Sequence, residues 1–315
     1  MSEFEIIKPI ELIKSTGKIV DNKKEVSLYT LEPNILYSPT TLGNSVKYNG
    51  KSLIAHINAS LYSNFSPKVW YKLDPTLEKN TIRSICYGNG KFVAVGHNGK
   101  TAYSTDGITW TAVANPAFEG HAIRSICYGN RKFVAVGTYT SIAYSTDGIN
   151  WTRVPESNYP HSYDINAICY GNGKYVTGGY GYKMAYSTDG INWAKGSTRP
   201  PIKDTKSICY GNGKYVAGCP HGEMAYSTDG ITWTAVTDST FGDSDIQCIY
   251  YGNGKFVAGG EDGKMAYSTD GINWTAVTDS TFRTSFIYSC SYNNGKYIAG
   301  GTSGKMAYCQ VGIPE

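Results

Sequence analysis

From residue 82 onward, short apolar runs and polar breaks alternate along the chain with a period near 41 residues. One unit reads S-I-C-Y-G-N-G-K-F-V-A-V-G, a short loop, then x-A-Y-S-T-D-G-I-T-W-T-A-V. Its marker tyrosine recurs as Tyr87, Tyr128, Tyr170, Tyr210, Tyr251 and Tyr292, at spacings of 41, 42, 40, 41 and 41. Within a unit the pattern predicts four strands: A at Ile82 to Tyr87, B at Lys91 to Val95, C at Thr101 to Ser104 and D at Ile108 to Val113. Gly88, Asn89 and Gly90 turn A into B, and Thr105, Asp106 and Gly107 turn C into D, because Asn-Gly and Asp-Gly pairs tolerate positive φ. Four strands of ~5 residues with ~5 per connection fill the unit and leave no room for a helix. Strands A and B carry nearly unbroken small apolar residues, the mark of a sheet covered on both faces.

Such a unit is one blade of a β-propeller, and the tryptophans indicate how the ring closes. Five units carry D-G-I-[TN]-W, at Trp110, Trp151, Trp193, Trp233 and Trp274, but the sixth stops at Met306-Ala307-Tyr308-Cys309-Gln310 with no strand D. Trp70, in Val69-Trp70-Tyr71-Lys72-Leu73, lies 17 residues before its marker tyrosine, against 17 to 19 for the others. The expected fold is therefore all-β: a six-bladed propeller of four-stranded blades over 67–315. The N-terminal Trp70 strand closes its ring, which removes both free sheet edges. Residues 1–66 show no repeat and are expected to form a small β-rich attachment module. It includes a hairpin at Val46 to Ile54 on the Asn49-Gly50 turn and further strands at Lys18 to Val20 and Glu25 to Leu31.

Composition narrows the function classes. Aromatic residues make up 13%, Gly 36 of 315 and charged residues only 17%, as in a turn-rich sheet protein. The net charge of +4 contains no Lys/Arg run longer than two, so nucleic acid is not an expected partner. No stretch approaches the ~20 apolar residues of a membrane span, and the start MSEFEIIKPIELIK lacks a signal peptide's basic and apolar regions. The expectation is a product made in the cytoplasm without membrane insertion. Cys86, Cys127, Cys169 and Cys209 occupy one slot of successive repeats, so buried free thiols are expected there, and likewise at Cys219, Cys248, Cys290 and Cys309.

The hairpin Ser104-Thr105-Asp106-Gly107-Ile108-Thr109-Trp110 resembles the Asp-box of sialidase-like, BNR-repeat propellers, one residue shorter, and it returns at Asp147, Asp189, Asp229 and Asp270. The resemblance implies a propeller in which the box is a folding device, its Asp and Ser tying down a turn. Sialidase chemistry would need three convergent arginines, a Tyr nucleophile with a Glu partner and an acid Asp. Only Arg83 and Arg124 share a slot, where the other blades have Asn166, Lys206, Gln247 and Tyr288. No enzyme activity, cofactor or metal is expected. The Y-S-T-D-G-x-x-W repeats also resemble those of tail-fibre and baseplate proteins of phages and phage-tail-like particles. That resemblance implies a virion or particle location, with residues 1–66 contacting other particle subunits.

Function is expected on one face. The A–B and C–D turns are nearly constant, whereas the B–C loops read GHNGK, GTYTSI, GGYGYK, GCPHGE, GGEDGK and GGTSGK. Variation within one chain marks the face relieved of folding duty. The candidate ligand-binding residues there are His97, Asn98, His121, Tyr139, Tyr159, His161, Tyr163, Tyr180, Tyr182, His221, Glu261 and Asp262. Clustered Tyr and His suit a cell-surface glycan or protein, since rings supply contact area and their polar tips fix orientation. At the channel mouth stand Arg83, Arg124, Asp164, Asp204 and Asp245, the three Asp sharing a slot six residues before the marker tyrosine. Asx capping of the crossover accounts for that trio as simply as ion binding does. The expected function is non-enzymatic: receptor binding or a peripheral baseplate role. The alternatives are a sialidase-like glycan-cleaving enzyme and a structural spacer without a ligand.

Overall fold

The computed structural model describes residues 18–21, 24–27, 47–48, 51–52, 81–113, 116–160, 163–196, 200–293 and 295–310. The chain divides into two compact units, 1–72 and 73–315. In the first, Lys18–Asp21 pairs with Lys24–Ser27, and Lys47–Tyr48 with Lys51–Ser52, while the Asn49-Gly50 turn expected between the latter two lies outside the described residues. The proposed closing strand at Trp70 lies outside the described residues, as does His161.

In the second unit the strands of blade 1 are Ile82–Gly88, Lys91–Gly96, Thr101–Ser104 and Thr111–Val113, hydrogen-bonded in that order. The same antiparallel order repeats in sheets beginning at Ile123, Ile165, Ser207 and Ile246. The sixth sheet, Ile287–Asn293, Lys296–Gly301 and Met306–Gln310, has three strands among the described residues. The described residues of this unit form an all-β six-bladed propeller, with single 3-10 turns but no α-helix among them. Strand D starts three residues later than the sequence suggests. The N–H groups of Ile108 and Thr109 are already engaged by Asp106 Oδ1, both at 2.8 Å, and cannot join the ladder.

That turn is the same in all five complete blades. In blade 3, Ser187 Oγ donates to Asp189 Oδ1 (2.9 Å) and accepts from Gly190 N–H (2.8 Å), while Ile191 and Asn192 N–H donate to Asp189 Oδ1. These bonds favour the carboxylate. The N–H groups of Thr109 and Ile108, with the Ser104 hydroxyl, hold Asp106 down at about 2. At Asp147, Asp189, Asp229 and Asp270 partial burial pushes upward but the hydrogen bonds prevail, so each lies below the usual carboxylate value.

The core consists of the seams between blades. Val93 and Val95 of blade 1 pack with Ile123, Ile126, Phe133 and Ala135 of blade 2, and equivalent clusters follow at the later seams. The Tyr-Gly pair that ends strand A in blades 1 to 5 has a packing cause. A Cβ on Gly88 would lie 2.1 Å from the Tyr128 ring, and Gly129, Gly171, Gly211 and Gly252 meet Tyr170, Tyr210, Tyr251 and Tyr292 in the same way. The marker tyrosines of blades 2 to 6 therefore lie against the glycine of the preceding blade.

One expectation about cysteine is corrected. Cys248 and Cys290 form a disulfide between blades 5 and 6, with Cα atoms 6.3 Å apart. They sit three and two residues before their marker tyrosines, positions that face each other across a seam. Elsewhere that place is held by Ser125 and Ser207, whose hydroxyls accept from Ile168 and Ile249 N–H. Cys86, Cys127, Cys169, Cys209 and Cys219 are free thiols, and burial pushes the first up to about 12.

Two outcomes follow. Gly171→Ala should destabilise the protein by about 1–3 kcal/mol, the range for overpacking a well-packed core, read as a lower urea midpoint, whereas Gly173→Ala, whose added methyl meets nothing within 4 Å, carries only its backbone cost. Carboxylates held below their ordinary 3.8 stabilise the fold at and above that pH and lose the contribution as pH falls toward the folded value. The melting temperature should therefore drop between pH about 4 and about 2, and more shallowly in an Asp189→Asn, Asp229→Asn variant.

Candidate functional site

The B–C loops of blades 1, 4, 5 and 6 are single 3-10 turns whose second residue has positive φ: Asn98 (54°), His221 (55°), Asp262 (54°) and Ser303 (58°). Tyr139 (53°) and Gly181 (67°) hold the same slot in blades 2 and 3. Gly and Asn enter this region cheaply, and Asp and His less so, but a bulky tyrosine there is an outlier that the surroundings must impose. The surroundings are visible. Asp164 Oδ1, at the entry to blade 3, accepts the Tyr139 N–H at 3.0 Å, and Asp164 Oδ2 accepts from Arg124 of blade 2 at 2.8 Å.

The other two aspartates of the slot act alike. Asp204 Oδ1 accepts Gly181 N–H at 2.6 Å and Asp245 Oδ1 accepts His221 N–H at 3.0 Å, each reaching back to the loop of the preceding blade. Lys206 donates to Asp245 Oδ2 at 2.6 Å. Burial pushes Asp245 up, but the bonds from Lys206 and His221 and the ammonium charge outweigh it, and its carboxyl titrates below the usual range. The trio thus latches loops across three seams. Its charges meet cations in pairs at Arg124 and Lys206 instead of separating into an acidic and a basic side of the mouth.

Arg124 reaches that position because of a bulge. Gly137 pairs with Ile123 and Val136 with Ser125, so Arg124 is the extra residue, and Arg83, Asn166, Gln247 and Tyr288 are extra in their blades. A bulge re-aims the side chain it frees. Arg83 is exposed and its Nε donates to His97 Nε2 at 2.9 Å.

Around Asp164 the loops of blades 2 and 3 bring several candidates together. Tyr139 is 70% exposed, Tyr163 55%, Tyr180 52% and Tyr182 37%. Tyr163 precedes Asp164 in sequence, Tyr180 N–H donates to the Asp164 carbonyl, and Lys183 Nζ stands 5.6 Å from the Tyr163 ring centroid. His121 lies against Tyr139, ring centroids 5.0 Å apart, with Nδ1 2.8 Å from Ser141 Oγ. His97, Asn98, His221, Glu261 and Asp262 belong to the loops of other blades.

Tyr159 is a correction. It is buried, its hydroxyl is 2.9 Å from Thr177 Oγ1 and its ring meets Trp193 edge-on, so it belongs to the seam between blades 2 and 3 and not to the surface. Lys183, which sequence reasoning missed, lacked any signal beyond sharing the GGYGYK loop.

The architecture has known counterparts among solved structures. YCF48 bound to D1 peptide superposes with a TM-score of 0.58 at 15% identity, over 74% of this chain and 78% of that one. YCF48 from Cyanidioschyzon merolae gives 0.55 at 15% identity, covering 72% and 81%, and the computationally designed Ika8 protein 0.55 at 10%, covering 73% and 71%. At such identities the likeness is one of fold. No family model and no curated protein matches the sequence.

The latch at Asp164 should be separable from the fold. Asp164→Ala should cost about 1 kcal/mol in stability, the scale of a lost hydrogen bond, and should open the 138–141 loop to limited proteolysis while residues 219–223, latched by Asp245, stay protected.

Proposed function

We propose that this protein is a non-enzymatic binding module that recognises its partner on the B–C loop face at the seam of blades 2 and 3. One observation carries the reading: Tyr139 stands at positive φ, held by Asp164, in a slot that folding alone would fill with Asn or Gly. The exposed rings of Tyr139, Tyr163 and Tyr180 surround that latch, and tyrosine is a residue that dominates recognition surfaces because it adds area at little rotamer cost. A propeller of similar fold, YCF48, is known bound to a peptide, which supports a binding role for such a scaffold.

The partner we infer is a cell-surface glycan or protein, and the setting a receptor-binding or peripheral baseplate position on a phage or phage-tail-like particle, with part of the N-terminal segment contacting other subunits. Support for the setting is the resemblance of the Y-S-T-D-G-x-x-W repeat to tail-fibre and baseplate repeats. The Ser-Asp-Gly hydrogen bonds of the C–D turns in blades 1 to 5 support the Asp-box resemblance of that hairpin.

A glycan array and purified bacterial envelopes supply the probes. Tyr180→Ala with Tyr182→Ala should weaken binding at least about tenfold, the effect of losing ~1.4 kcal/mol, with the melting temperature unchanged. Asp189→Ala, in the constant turn of the same blade, should lower the melting temperature and leave binding intact. The reverse pattern would invert the face assignment, and release of free sugar from the array would replace binding with catalysis.

A further inference from the structure

The first and last blades each present a face that every other blade buries. Ile85 of blade 1 is 56% exposed, whereas its counterparts Ile126, Ile168, Ile208 and Ile249 are 5–7% exposed. A Cβ on the C–D glycines of blades 2 to 5 would meet Val93, Val134, Val176 and Val216 of the preceding blade at 2.7–2.8 Å, but Gly107 of blade 1 meets only its own Phe92. At the other end, Gly178, Gly218 and Gly259 abut Thr205, Ile246 and Ile287 of the next blade, while Gly300 of blade 6 meets nothing within 4 Å among the described residues. Ile82, which holds the matching place in blade 1, is itself 39% exposed. Blades 6 and 1 therefore do not cover each other.

The chain carries a sequence suited to both faces. Forty residues before blade 1, the interval that also separates Tyr170 from Tyr210, stands a divergent copy of the repeat. Asn49-Gly50-Lys51 matches Asn89-Gly90-Lys91, Leu53 and Ala55 match Val93 and Val95, and Trp70 matches Trp110. The hairpin agrees: Tyr48 pairs with Lys51 as Gly88 pairs with Lys91. The copy departs from the others at Tyr48, which stands where the blades have glycine, so Tyr87 would meet a ring instead of a bare backbone.

We propose that the uncovered faces of blades 1 and 6 are the docking surface for this seventh copy, residues 42–73 of the same chain. It continues an interface already built five times, with Leu53 taking toward Gly107 the role that Val93 takes toward Gly148. The Trp70 strand then belongs to a blade of its own, and only residues 1–41 are left for attachment to other subunits.

The Cys248–Cys290 bridge supplies the test. It joins the position three before one marker tyrosine to the position two before the next, which for the seventh copy and blade 1 means positions 44 and 85. The full-length Asn44→Cys, Ile85→Cys variant, oxidised with glutathione disulfide and mapped by mass spectrometry, should yield a 44–85 link within a monomer. In a separate variant, Ile85→Asp should lower the melting temperature as much as Ile126→Asp does at a covered seam. A link between two chains would mean that a second copy occupies the face, and no link, or an Ile85→Asp protein that melts like wild type, would mean that the face is open. Each of these overturns the proposal.

Discussion

Everything in the propeller depends on a sheet that cannot stand alone. A four-stranded blade of small apolar residues has two dry faces, and each becomes stable only when a neighbour covers it. The seam is therefore the unit of stability. Its tightest point is the marker tyrosine lying on the glycine of the preceding blade, with Tyr175, Tyr215 and Tyr297 sealing the next layer through hydroxyls that donate to the carbonyls of Gly129, Gly171 and Gly252. Repeating one seam lets a single solution in sequence be copied, which is why the A–B and C–D turns hardly vary.

The same constraint organises the loop face. Once strands and turns are committed to the seams, the B–C loops are the segments whose side chains can change without disturbing a core. They are not left unsupported. Asp164, Asp204 and Asp245 fasten the loops of blades 2, 3 and 4 to the blade that follows, so that part of the surface is varied in side chains yet fixed in backbone. Fixing a loop before a partner arrives lowers the ordering cost of binding. Tyr139 shows the compromise: an aromatic ring is presented from a backbone conformation it disfavours, and the carboxylate of the neighbouring blade offsets the strain.

Cysteine illustrates how a one-residue shift changes chemistry on a pleated strand. Cys86, Cys127, Cys169 and Cys209, one position before their tyrosines, remain thiols. Cys248 and Cys290 lie one or two positions further back, on opposite sides of a seam, and are joined. Alternation of side chains along a strand decides which pairs can meet.

The sequence by itself determined the repeat, the four strands of blades 1 to 5, the turn chemistry and which face varies, because these depend on local periodicity and on φ preferences that a few residues carry. Asp189 and Gly190 could be read as a turn without any neighbour in view. What only the tertiary structure decided were relations across seams. Tyr159 read as a surface aromatic and proved to be core because Trp193 and Thr177 come from elsewhere in the next sheet. Arg124 and Asp164 read as separated charges and proved to be partners 40 residues apart. Position in the ring also decided the fate of identical residues: Ile85 and Ile126 share a slot of the repeat, yet Ile126 packs against Val93 and Val95 of the preceding blade while no such blade stands beside Ile85 among the described residues, since burial depends on what stands alongside and no local pattern encodes it.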